Sequence, residues 1–138
     1  MNAVDFFGAK LQFEMDACDL NKELKKDESK YVIVDTRSER AYKMEHIKGA
    51  INLPNGLMNE ESVKNFDKEK TYVTYCDGFG CNASTKGAYK LSKLGFKVIE
   101  LIGGIDAWKY ERHPTETSLS RAEYEKEASC GPSCSCHN

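Results

Sequence analysis

Three short runs, "YVIVDT" (31–36), "TYVTY" (71–75) and "FKVIEL" (96–101), constrain this chain more than anything else in it. A strand with one face in water alternates apolar and polar residues. "YVIVDT", apolar and β-branched almost throughout, needs cover on both faces, and the other two runs read as strands beside it. The segments between them carry helical signals. Ser38 stands as an N-cap before "ERAYKMEHI", which places Ala41, Met44 and Ile47 on one helical face. "NEESVKNF" (59–66) predicts a short helix, and "NASTKGAYKLSKLG" (82–95) a longer one ended by Gly95. "GAINLP" (49–54) predicts a short strand closed by Pro54, and Gly103 and Gly104 a tight turn before a last helix whose Trp108 packs inward. Alternating strands and helices require crossover connections. The expected class is therefore α/β, an open, mostly parallel sheet with helices on both faces.

A chain of 138 residues, 40% hydrophobic, buries one real core, so one domain is expected over 1–114. Residues 115–138 hold few large apolar side chains and read as an appended segment, a short helix over 120–128 followed by a Cys-rich tail. The formal charge is −2 and the lysines are scattered, which excludes the basic footprint of a nucleic-acid binder. No basic leader with an apolar core opens the chain and no run is long enough to span a bilayer, so the expected location is cytoplasmic, without membrane partners. Six cysteines fit no secreted scaffold. Cys18, Cys76 and Cys81 are spread through core-forming sequence while Cys130, Cys134 and Cys136 crowd the end, which favours reactive or metal-binding thiols.

Cys76 lies where the strand "TYVTY" ends, and Asn82 is where the next helix starts. Ligands of open α/β sheets bind outside the carboxyl ends of the strands. Residues 76–81 form a loop whose backbone N–H groups, with the helix N-terminus, can converge on an anion, Gly78 and Gly80 supplying positive φ. The same field favours the thiolate, which is the nucleophile. The plainer alternative is a small buried hydrophobe.

Four stretches, "VIVDTRSERAYKMEHIKGAINLP", "YCDGFGCNASTKGAYKLSKLGF", "VIELIGGIDAWK" and "HPTE", together resemble the rhodanese homology domain, the family of single-domain sulfurtransferases. The resemblance covers roughly residues 31–116. It implies that Cys76 is the catalytic nucleophile, cycling between thiolate and persulfide, and that Asp77, Gly78, Phe79, Gly80 and Cys81 form the substrate-binding loop. It implies scaffold roles for Asp35, Arg37 and His46, and no required cofactor. The implied function moves sulfane sulfur from a small donor, thiosulfate or a persulfide, to a thiol, to cyanide or to a protein sulfur acceptor.

Two features depart from the family pattern. Thiosulfate-using members carry Arg or Lys in the loop, where this chain has "CDGFGC" with a carboxylate at Asp77 and only Lys86 one turn into the helix. A related phosphatase branch has Arg six residues after the cysteine, where this chain has Asn82. Cys81 closes the loop five residues after Cys76, near enough for a disulfide, and is a candidate resolving thiol; the alternative is a cysteine filling a small apolar niche. In the tail, Cys130, Cys134, Cys136 and His137 offer soft ligands for Zn or Cu, or an arm that accepts sulfur from Cys76. The arm is the preferred acceptor, since a tether of about 15 residues holds its thiols near millimolar effective concentration. The competing functional classes are a weakly catalytic thiol, metal-binding or sulfur-relay module and a Cys76/Cys81 redox protein.

Overall fold

The structure, a computed structural model, describes residues 1–129. Its centre is a parallel sheet in the order β1-β6-β5-β2-β4. The strands are β1 (Glu14–Met15), β2 (Tyr31–Asp35), β4 (Ile51–Asn52), β5 (Thr71–Tyr75) and β6 (Lys97–Leu101). The three runs that dominate the sequence are the three central strands, in register from Tyr31 beside Thr71 beside Lys97 to Asp35 beside Tyr75. A short antiparallel pair, β3 (His46–Ile47) with β7 (Thr115–Glu116), stands apart from the main sheet.

Period-two alternation divides each central strand between two cores. On one face Ile33, Val73 and Tyr75 meet Ala17 and Leu20 of α2 (Ala17–Asp27) and Ile105 and Trp108 of α5 (Gly104–Tyr110). On the other, Val34 and Tyr72 meet Leu91 of α4 (Ala83–Lys93), with Met58, Val63 and Phe96. Helices cover both faces, as expected. The caps are also where the sequence places them: the Ser38 hydroxyl accepts from Ala41 N at 3.2 Å, and Gly95 closes α4 at φ +93°. Ser120 and Glu123 form a reciprocal capping box at the start of α6 (Arg121–Ala128).

Two local expectations are corrected. α3 (Glu39–Met44) is shorter than "ERAYKMEHI", because Ile47 N donates to the Tyr75 hydroxyl at 3.1 Å and Ile47 enters β3 rather than the helix. Residues 59–66 form turns, not a helix. Asn59 and Ser62 exchange side-chain bonds with each other's backbone in the reciprocal pattern of a helix cap, Ser62 N to Asn59 Oδ1 at 2.8 Å and Asn59 N to Ser62 Oγ at 3.0 Å, but only turn bonds follow, Lys64 N to Glu61 O at 3.4 Å and Phe66 N to Val63 O at 2.9 Å. Val63 and Phe66 still reach the core from there. The first 30 residues hold two helices that the sequence reading passes over, α1 (Ala3–Phe13) and α2. No helix among the described residues is long and apolar enough to cross a membrane.

Candidate active site

Cys76 follows the last residue of β5 at the carboxyl end of the central strand and is 1% exposed. Its carbonyl accepts from Ile105 N at 3.0 Å, and that of Asp77 from Asp106 N at 2.9 Å. The first turn of α5 thus holds the start of the loop. This is where glycine is needed: Gly103 and Gly104 take φ of +80° and +57°, and a Cβ on Gly104 would collide with the carbonyl of Cys76 and stand 2.7 Å from the backbone of Asp77. The expectation that Gly78 and Gly80 supply positive φ is corrected, since neither does. The loop turns through Cys81 N donating to Gly78 O at 3.2 Å and closes on a Cys76–Cys81 disulfide, with Cα atoms 6.3 Å apart. Phe79 at the tip is 88% exposed.

Behind the loop lies a buried charge network. Asp35, with no exposed surface, accepts from the Tyr75 hydroxyl at 2.7 Å and from Arg37 Nε and Nη2 at 3.0 and 2.7 Å. Arg37 also donates from Nη2 to Glu45 O at 2.6 Å and from Nη1 to Asp77 Oδ1 at 3.2 Å. Burial alone would depress the guanidinium pKa, but its bonds and attraction to Asp35, with smaller help from Tyr75 and Asp77, push it up. Burial, then the Asp35 charge, pushes the Tyr75 phenol up, so it stays a protonated donor. The network is a scaffold, and through Asp77 it ties the loop to β2. The Asp77 carboxylate therefore meets a cation on its own chain. His46, 2% exposed, stacks on Tyr42 and is bonded at both ring nitrogens, to Tyr42 O at 2.7 Å and Glu116 Oε1 at 3.1 Å, away from the loop.

Both cysteines line a pocket of about 150 Å³ with Phe79, Ser84, Thr85 and Glu100. Ser84 and Thr85 lie in the first turn of α4 and donate their hydroxyls to Glu100 Oε2 at 2.7 and 2.6 Å. Glu100 comes from β6, opposite Thr74 of β5. No Lys or Arg among the described residues lines this pocket. Sequence reasoning missed Glu100, Ser84 and Thr85. The usable signal was register, because a polar residue near the carboxyl end of the strand beside β5 must face the same crevice. Cys18, half-buried on α2, is the one cysteine outside the disulfide among the described residues. Cys130, Cys134, Cys136 and His137 lie outside them, and no group of three or more His, Cys, Asp or Glu among the described residues is placed to hold a metal.

Known proteins match this chain in sequence and in fold. The model of the Rhodanese-like domain family matches residues 17–111. The chain belongs to that family. A thiosulfate sulfurtransferase, GlpE, of Coxiella burnetii is 41% identical over 85 residues, 61% of this chain and 76% of the relative. A probable molybdopterin-synthase adenylyltransferase of Porphyra purpurea is 33% identical over 97 residues, 69% of this chain but 25% of that protein. Among solved structures, the BH2092 protein of Bacillus halodurans superposes with a TM-score of 0.79 at 38% identity, covering 91% of this chain and 96% of its own. The rhodanese-like domain of the Anabaena Alr3790 protein gives 0.67 at 31% identity, over 78% and 82%. The family match ends at residue 111, before β7, which pairs with β3 and whose Glu116 accepts from Gly49 N at 3.0 Å.

Proposed function

We propose that this rhodanese-like domain is a sulfurtransferase that carries sulfane sulfur on Cys76. The observation that carries the reading is the position of Cys76, at the carboxyl end of the central strand, in the wall of a pocket and ahead of the α4 N-terminus. The named activity of the Coxiella relative supports it. With the disulfide reduced, the Cys76 thiolate attacks the outer sulfur of a donor R–S–SH. The donor S–S bond breaks, its electron pair leaves on RS⁻, and Cys76–S–SH forms. An acceptor thiolate then attacks that outer sulfur and restores the Cys76 thiolate; cyanide in place of the thiol leaves as thiocyanate.

The pocket favours a persulfide donor over thiosulfate. Thiosulfate brings two negative charges, a persulfide at most one, and the charged side chain among the pocket-lining residues is the carboxylate of Glu100. Residues 1–114 carry this chemistry. A reduced Cys76 suits the cytoplasm, where thiols are kept reduced.

Intact mass tests the reading. Reduced Cys81→Ser protein, in which nothing in the loop can displace the added sulfur, is expected to gain one sulfur atom at Cys76 from glutathione persulfide, and Cys76→Ser to gain none there. A protein that, as wild type and as Cys81→Ser, neither gains sulfur, nor releases it as sulfide, nor moves it to cyanide rejects the proposal.

A further inference from the structure

We infer that Cys81 is a resolving thiol that turns the sulfur-loaded domain into a sulfide-releasing sulfane reductase. The inference rests on the Cys76 persulfide proposed above. Cys76 and Cys81 are joined in the structure, so the fold accommodates the two sulfurs in bonding contact. Their Cα separation of 6.3 Å lies within the roughly 4.4–6.8 Å that a disulfide spans.

The loop is built to allow this approach. Its Cys76 end is fixed, by the α5 amides on the carbonyls of Cys76 and Asp77 and by Arg37 on the Asp77 carboxylate. Its other end is light: Gly78 and Gly80 carry no side chain, and Phe79 projects to solvent rather than into the core. Cys81 is half-buried, immediately before the first turn of α4, where a helix N-terminus favours a thiolate.

The step balances without an outside oxidant. The Cys81 thiolate attacks Sγ of Cys76 in the Cys76–S–SH group. The Cys76–Cys81 bond forms, the persulfide S–S bond breaks, and its electron pair leaves with the outer sulfur as HS⁻ into the pocket that both cysteines line. The sulfane sulfur is reduced to sulfide and the two cysteine thiols are oxidised to the disulfide. A dithiol reductant, dithiothreitol in the assay, supplies two electrons to reopen it. The structure is then the end state of one turnover. Of the two acceptor thiols the sequence offers, the loop disulfide favours Cys81 over the tail.

The test uses the full chain in one turnover. Reduced, desalted protein at about ten micromolar receives one equivalent of glutathione persulfide, and sulfide release, intact mass and peptide maps are followed without added thiol. Wild type is expected to release about one equivalent of sulfide, lose two hydrogen atoms in mass and map to a Cys76–Cys81 disulfide. In a background with Cys130, Cys134 and Cys136 replaced by Ser, Cys81→Ser is expected to hold the added sulfur on Cys76 and release sulfide about a hundredfold more slowly, since millimolar effective concentration is lost against micromolar protein. Replacing Cys130, Cys134 and Cys136 with Ser should leave the wild-type result in place. A wild-type protein that keeps its sulfur on Cys76 beside an unmodified Cys81 overturns the inference, as do sulfur mapped to Cys81 or the tail and a disulfide from Cys76 to a tail cysteine. Because wild type is read on its own, a misfolded Cys81→Ser does not rescue the idea. Failure of both proteins to take up or release sulfur rejects the persulfide reading itself, and the inference with it.

Discussion

At the scale of single residues, Glu100 and Arg37 divide the work of the carboxylates and cations around Cys76. Arg37 is committed to Asp35 and Asp77, which leaves Glu100 to set the charge of the pocket. Glu100→Gln keeps the shape and an acceptor for Ser84 and Thr85 while removing the charge. Its KM for thiosulfate is expected to fall about fivefold with kcat little changed, since the repulsion acts on the bound donor before the transition state as well as in it. The gain should shrink as salt rises, and equal kinetics at low salt would place the donor away from Glu100. Arg37→Met leaves Asp35 buried without its cation, and unfolding in urea is expected to show a loss of about 3–5 kcal/mol. A loss below about 1 kcal/mol would mean that Tyr75 and the backbone suffice for Asp35. The place of Cys76 was legible in the sequence because a cysteine at a strand end has a defined position in an α/β sheet. Glu100 and Gly104 were not. One depends on register between neighbouring strands and the other on a backbone contact between α5 and the loop.

At the scale of elements, β7 is held largely through carboxylates. Glu116 accepts from Gly49 N and bonds His46 Nε2, while Glu45 accepts from Thr115 Oγ1 at 2.7 Å and pairs with Lys109 at 2.6 Å. The Gly49 amide chiefly holds the Glu116 pKa below its ordinary 4.5, against a smaller effect of burial. For Glu45 burial pushes upward, and Lys109 and Thr115 outweigh it. A carboxyl with a lowered folded pKa adds stability that is present above its unfolded value and lost as pH falls through the folded one. The β3–β7 pair should therefore loosen in acid. Hydrogen exchange of the amides at 46–48 and 115–116, corrected for intrinsic rates, is expected to lose protection between about pH 6 and pH 3, and Glu116→Gln to weaken protection already at pH 6. Protection independent of pH would show that the backbone pairing of Ile47 with Thr115 is enough. The long-range placement of this strand was hidden from the sequence, as "HPTE" carries no strand pattern and its partner, His46–Ile47, sits in a helical one. β2 and β5 were plain because strands buried on both faces must be apolar almost throughout, and β6 because Val98, Ile99 and Leu101 still mark a strand.

At the scale of the whole molecule, the chain has two covalent states, and the loop disulfide separates them thermodynamically as well as chemically. α1 shows why the N-terminal part was hard to read: Val4, Phe7 and Leu11 are exposed and none of its residues is buried, so no apolar stripe marks a core face. The stability that differs between the two states lies elsewhere, in the six residues 76–81. Closing so short a loop removes entropy from the unfolded chain worth about 2 kcal/mol. Reduction restores that freedom, while the fixed Cys76 end, with its α5 amides and the Arg37–Asp77 pair, stays in place and keeps the fold. The thermal midpoint of wild type is therefore expected to fall by roughly 5–10 °C on reduction, in a single cooperative transition. Cys81→Ser should already melt at the lower temperature and ignore the reductant. The comparison belongs in a background with Cys130, Cys134 and Cys136 replaced by Ser, so that tail thiols do not contribute. A wild-type midpoint unmoved by reduction would mean that the loop is as ordered in the unfolded chain without the bond as with it. A reduction-sensitive Cys81→Ser would place the stabilising disulfide on Cys18 rather than on the loop.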